Sequence, residues 1–266
     1  MTETVDQDEA YEHAVRTAWT TPALQPVVER SFLHRDPAQA LDAFRASEDR
    51  ARVLRLLAAE GVTPPARILD LGGGRGLLAA SLAEEGYEVV LCEPNPSPVC
   101  GSAAAHELLQ VARRPFAVVD VLVGQLEPAS FDAVVCRAVL HHLDPLVDIL
   151  RDVVKVLRPG GVLIASDEPT VQRPEDVVLA QRRHPFVQFG VEEDAHTPQA
   201  YVDALRAAGF VTARTAFPVA LADYRRHIRP GASAPLAAAL YWRYRLRAKV
   251  RPTPGQVVSV IGRTRA

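Results

Sequence analysis

Apolar positions along this chain follow two periods. Short apolar runs at Arg67–Leu71, Glu88–Cys92, Phe116–Val119, Phe131–Cys136 and Val162–Ser166 are separated by stretches in which apolar residues return every three or four positions. Continuous runs of this length suit strands buried on both faces of a parallel sheet, and the three-to-four spacing suits helices that cover it. The spacing predicts helices over Leu77–Glu85, Val99–Val111 and Leu146–Leu157, and a further one from Thr197-Pro198 with Tyr201, Leu205 and Ala208 on one side and Gly209 at its end. A sixth strand at Phe210–Val219, helical stretches within Leu221–Val250 and an alternating last strand at Gln256–Ile261 complete the pattern. The strand–helix alternation predicts an α/β doubly wound, Rossmann-like sheet of seven strands.

Two helical stretches come first. Tyr11, Val15, Ala18 and Trp19 share one face, and Leu41, Phe44, Val53, Leu54 and Leu57 mark a second helix over Pro37–Leu57. Thr63-Pro64-Pro65 stops this segment before the first strand. The expected organisation is a helical cap over residues 1–63 above a ligand crevice, then a Rossmann-like domain over 64–266 with insertions near 167–200 and 221–250. Tyr11, Trp19, Phe32 and His34 are candidate lid residues.

The densest chemical signal is RILDLGGGRGLLAASLAEEGYEVVLCEPN, from Arg67 to Asn95. A strand ends in glycines, a helix follows, and the next strand ends on Glu93. Glycines at Gly72, Gly74 and Gly76 let the backbone approach a ligand, and the helix start presents unpaired N–H groups to it. Their first, third and fifth spacing departs from the first, third and sixth of a dinucleotide fingerprint, because the sixth position is Leu77. Asp70, just before the glycines, would repel a phosphate and accept from an amino group.

Asp70-Leu71-Gly72-x-Gly74-x-Gly76 with Glu93 closing the next strand resembles the first two motifs of class I S-adenosylmethionine-dependent methyltransferases, over roughly residues 66 to 262. The resemblance implies a sheet of order 3-2-1-4-5-7-6 with the seventh strand antiparallel, and a helical insertion before that strand. It implies S-adenosyl-L-methionine as cofactor. The glycines would pack on its methionine part, Asp70 would meet the amino acid end, Glu93 the ribose hydroxyls, and Asp120 with Val121 the adenine. Pro94 and Arg137, at the ends of the second and fourth strands, complete the expected cofactor-binding set.

Methyl transfer from a sulfonium needs alignment of the nucleophile and, for some acceptors, a base. The loop Arg137-Ala138-Val139-Leu140-His141-His142 after the fourth strand is where a base would stand. His141 takes the place of the general-base histidine of phenolic O-methyltransferases. His142 matches a histidine of metal-assisted quinone O-methyltransferases, but the acids that accompany it there are replaced here by Ala138 and His141, so no metal is expected. Glu168, read as lying just past the fifth strand, is a further candidate base, with His184 and His196 behind it.

Composition limits the rest. A chain of 266 residues with a formal net charge of -2 carries no basic footprint for nucleic acid, and no apolar run reaches membrane-spanning length. Three cysteines without metal-ligand spacing suit a reducing, cytoplasmic setting. The expectation is a monomeric or homodimeric methyltransferase acting at oxygen or nitrogen of a small molecule, such as a specialised metabolite or a sugar. Two alternatives are a cofactor-binding enzyme of the same fold doing cyclisation or elimination, and a noncatalytic cofactor-binding protein.

Overall fold

A computed structural model describes residues 7–171, 173–181, 185–216, 233–250 and 256–266. Seven strands form one sheet: β1 (Arg67–Leu71), β2 (Glu88–Cys92), β3 (Ala117–Val119), β4 (Phe131–Arg137), β5 (Leu157–Thr170), β6 (Thr212–Ala216) and β7 (Gln256–Arg263). Their order is β3-β2-β1-β4-β5-β7-β6. The first five pair in parallel, while β7 runs antiparallel to both β5 and β6. The expected sheet is therefore the observed one. The chain winds outward from β1 through β2 to β3, then returns to place β4 on the other side of β1. Such a reversal opens a crevice at the strands' carboxyl ends, where α/β sheets bind ligands.

Successive residues of each strand feed opposite faces. Ile68, Val135 and Ile164 join one buried cluster, and Leu69, Val134 and Leu163 the other. Ten α-helices accompany the sheet among the described residues: α1 (Gln7–Thr20), α2 (Gln25–Ser31), α3 (Pro37–Arg45), α4 (Glu48–Ala59), α5 (Leu77–Glu84), α6 (Ser102–Leu108), α7 (Leu146–Val156), α8 (Val177–Gln181), α9 (Pro198–Ala208) and α10 (Ala234–Val250). Among them none is long and apolar enough to cross a membrane.

The amino-terminal helices divide between two roles. Leu41, Phe44, Val53 and Leu57 of α3 and α4 belong to the core on one face of the sheet, whereas α1 and α2 form a separate cluster with Val99, Phe186 and Val191. The second group supplies most of the amino-terminal lining of the crevice, and Phe44 of α3 reaches it as well. The single helix expected over Pro37–Leu57 is two. Ser47 caps α4 by accepting from the Arg50 N–H while its hydroxyl donates to the Phe44 carbonyl, which breaks the run at a residue that competes with the helix for its backbone groups.

The fifth strand runs on past Ser166 to Thr170. Against β7, Ala165 pairs with Val260 but Glu168 with Val258, leaving Ser166 and Asp167 together opposite Ser259. This is a β-bulge of one extra residue, with Asp167 at a φ of 62°, and it re-aims every side chain that follows. The end of the expected sixth strand, Phe217–Val219, lies outside the described residues, as do His184 and the turn at Pro230-Gly231.

Candidate active site

The crevice lies where β1 and β4 diverge, encloses about 1500 Å³ and joins two kinds of surface. Ligand pockets commonly measure about 300 to 1000 Å³, so this one has room for two molecules side by side. One half is built on the turn after β1. Gly72 and Gly74 have φ of 63° and 52°, and a Cβ on Gly74 would stand 2.9 Å from the Cys100 carbonyl oxygen. Backbone therefore forms this wall. Gly76 starts α5 in the left-handed region and does not itself line the cavity.

Two acids flank the turn. Glu93 accepts from the Gly74 N–H at 2.8 Å on Oε2 and from the Asn95 N–H at 3.0 Å on Oε1, and burial raises its pKa. Asp70 is wholly buried, and neither carboxylate oxygen has a hydrogen-bond partner. Burial lifts its pKa to about 7 against the lowering effect of the nearby Ala79 backbone N–H, with the Glu93 charge adding to the rise. A buried carboxyl with both oxygens unmatched fits a cationic or amino ligand group.

The remaining expected cofactor residues divide. Pro94 and Val121 line the cavity, with Leu122, Val123 and Gly124 continuing the wall beyond Val121. Asp120 is exposed and is not among the residues that line the cavity, whereas its neighbour Val121 is. Arg137 lines the cavity, but its guanidinium donates twice to Oδ2 of Asp49, at 3.1 and 2.9 Å, and lies over the rings of Phe32 and Phe44. It ties β4 to α4, and Arg52 of the same helix pairs with Asp167 at the bulge.

The other half of the crevice centres on His141. Its Nδ1 lies 3.0 Å from Oε2 of Glu168, and its Nε2 lies 3.5 Å from Oε2 of Glu193. Burial alone would push the imidazole pKa down, but the carboxylates of Glu168 and Glu193 outweigh it and raise the value to about 9. Glu168 itself is fully buried and accepts from the backbone N–H groups of Val139 and Leu140, both at 3.0 Å, and of His141 at 3.3 Å. The expectation of Glu168 as a base beyond the strand is corrected: it is a strand residue whose oxygens are committed to the loop. His142, with its side chain 43% exposed, stacks on His141 at 3.9 Å between ring centroids. His196 lines the cavity too, with its ring edge-on to Tyr201.

Glu193 stands in the charged segment that follows β5. Nothing local distinguishes it from Glu192 or Asp194; the fold alone brings it to the histidines. The segment that carries it is fixed against α1, because the Gln7 side chain donates to the Gly190 carbonyl and accepts from the Glu192 N–H, while Tyr11 meets Phe186 edge to face at 5.7 Å. Arg75, also missed, is buried in the glycine turn and donates to the His34 carbonyl at 2.6 Å, so it binds the turn to the residues after α2.

Residues 69–163 match the model of a methyltransferase domain family. The ubiquinone biosynthesis O-methyltransferase of Xanthomonas campestris pv. campestris is 38% identical over 133 residues, which is 49% of this chain and 51% of that protein. A demethylmenaquinone methyltransferase of Beutenbergia cavernae is 34% identical over 134 residues, 48% of this chain and 52% of that one. The chain thus spans about half the length of the curated relatives it matches. Among solved structures, the 1,6-didemethyltoxoflavin-N1-methyltransferase of Burkholderia thailandensis, with bound S-adenosylhomocysteine, superposes with a TM-score of 0.53 at 20% identity, covering 83% of this chain and 79% of that one. This last is a likeness of fold. A methyltransferase domain is thus matched over residues 69–163, on a sheet of order β3-β2-β1-β4-β5-β7-β6.

Proposed function

We propose that this protein transfers a methyl group from S-adenosyl-L-methionine to a hydroxyl oxygen on the ring of a small molecule. The observation that carries the reading is the single crevice: the Asp70–Gly74–Glu93 wall and the His141 loop open on the same space. The bound cofactor would supply an activated methyl group on a sulfonium that leaves as a neutral thioether. Asp70 would take the amino group of its methionine part, Gly72 to Gly74 would lie against that part, and Glu93 would take the ribose hydroxyls. Val121 to Gly124 would face the base.

The acceptor half combines a polar pole at His141, His142 and Glu193 with an apolar wall at Leu143, Leu146 and Ile149. That pairing suits a ring with a hydroxyl directed at the histidines, and the name of the Xanthomonas relative, an O-methyltransferase, points to oxygen as well. Within the earlier range of specialised metabolites and sugars, aromatic hydroxyls are therefore favoured. Glu168 orients the His141 ring and fixes the loop behind it. With its pKa raised by the carboxylates of Glu168 and Glu193, His141 acts by position rather than as a ready base. The free thiols of Cys92, Cys100 and Cys136 are consistent with a cytoplasmic setting.

A test is incubation with S-adenosyl-L-methionine and a panel of catechols, quinols, glycosides and amines, read as the mass gain of one methyl group. Methylation confined to aromatic hydroxyls supports the reading. Transfer to amines alone overturns it.

A further inference from the structure

We propose that His141, His142 and Glu193 form the binding site for one divalent transition-metal cation, which takes the acceptor's hydroxyl oxygen at its open positions. One ligand atom from each of these residues lies within 4.8 Å of the other two. Nε2 of His141 and Nε2 of His142 stand 3.5 and 4.0 Å from Oε2 of Glu193. Donors placed tetrahedrally at about 2.0–2.2 Å from a zinc-type cation are roughly 3.4 Å apart. His141 and Glu193 already have that spacing. Only His142 must close, and it is the half-exposed member of the three.

The surroundings of His141 point to a ligand role. A metal-bound imidazole presents one nitrogen to the cation and donates its other N–H to a carboxylate, which fixes the tautomer and the ring. Glu168 does this here: it meets Nδ1 at 3.0 Å, is itself fully buried, and is held by three backbone N–H groups. Nε2 is thereby directed at Glu193. Two imidazoles and one carboxylate suit zinc, cobalt, manganese or iron in the divalent state, and not calcium or magnesium, which take oxygen ligands. All three residues line the crevice, so the remaining coordination positions face the acceptor.

The cation lowers the pKa of a hydroxyl that binds it. This step rests on the methyltransferase reading. The acceptor's O–H proton leaves to solvent, an oxygen lone pair forms the new O–C bond, and the C–S bond of the sulfonium breaks with its electrons left on sulfur. The cation is neither oxidised nor reduced.

The test uses the full, tag-free chain freed of metal by chelator dialysis and titrated with cobalt(II) alone, without cofactor or acceptor. We expect one cobalt per chain, with the visible absorption of nitrogen and oxygen ligation. His142→Ala and Glu193→Gln, both at the crevice surface, should each weaken binding at least 10-fold, and Glu168→Gln roughly 10-fold. Absence of the absorption, or an absorption unchanged in both His142→Ala and Glu193→Gln, overturns the proposal. Calorimetry with S-adenosylhomocysteine on the same metal-free chain separates the two readings. Nucleoside binding without cobalt binding removes the cation site alone, and cobalt binding at these residues without nucleoside binding leaves the site standing and removes the methyltransferase.

Discussion

The N–H of Gly74 donates to Oε2 of Glu93 across 2.8 Å, so the acid that ends β2 also holds the turn that follows β1. Its second oxygen holds Asn95, the start of the next loop. Loss of the carboxylate removes both constraints together with the ribose partner assigned to it. Glu93→Ala should bind S-adenosylhomocysteine roughly 100-fold more weakly, the equivalent of about 2.7 kcal/mol, in line with two hydrogen bonds to a charged group. Calorimetry that returned the wild-type affinity would remove the ribose assignment.

Asp70 makes cofactor binding depend on pH. Its carboxyl has a pKa of about 7 in the free protein, and an amino group bound beside it favours the ionised form. Affinity should therefore rise as pH climbs from 5 to about 7 and level off above, with proton release detectable from buffer ionisation heats below pH 7. The stability effect has the opposite sign. With the folded pKa raised above an unfolded value of about 3.9, the stabilising contribution is full below the unfolded value and lost as pH rises through about 7. Asp70→Asn should flatten both profiles, and an affinity profile of unchanged slope in that variant would assign the titration to another group.

Gly72 sits at a φ of 63°, and a Cβ there would stand 2.8 Å from Cγ1 of Val139. Gly72→Ala should lose about 1–3 kcal/mol of stability in denaturant unfolding through backbone strain and overpacking. Adding Val139→Ala should return part of the loss, because it relieves the contact and leaves the dihedral strain. A double variant no more stable than the single one would show that the contact is not a source of the strain.

Glu168→Ala would leave three buried N–H groups, those of Val139, Leu140 and His141, without their acceptor. At roughly 1–3 kcal/mol for each unsatisfied group, the loss should reach about 3 kcal/mol or more. Glu168→Gln keeps one acceptor oxygen and should lose less. Equal, small losses for both would mean that the loop finds other partners.

The sheet and the cofactor half were legible in the sequence because their signals are local. The central strands carry short apolar runs, and the Asp70–Gly76 turn with Glu93 lies within one strand–turn–helix–strand unit. What was missed depends on packing between distant segments. Ser47 reads as an ordinary helix residue until its hydroxyl is seen on the Phe44 carbonyl. Glu168 looks like a loop acid, because a strand that continues through a bulge shows no apolar run. Glu193 reaches the histidines only because α1 and Phe186 hold its segment over the crevice.

The bulge at Ser166–Asp167 makes the acceptor half sensitive to strand pairing as well as residue type. Ala165 and Glu168 pair with Val260 and Val258, two residues apart on β7, so the bulge puts both on one face although they are three apart in β5. A strand of the same length without the bulge would turn Glu168 to the opposite face of the sheet. Its carboxylate would leave the Val139–His141 loop although no residue of that loop had changed. A chain one residue shorter and regularly paired would keep the acid in place, so comparisons of relatives should match this acid by its pairing with β7 before its role is transferred.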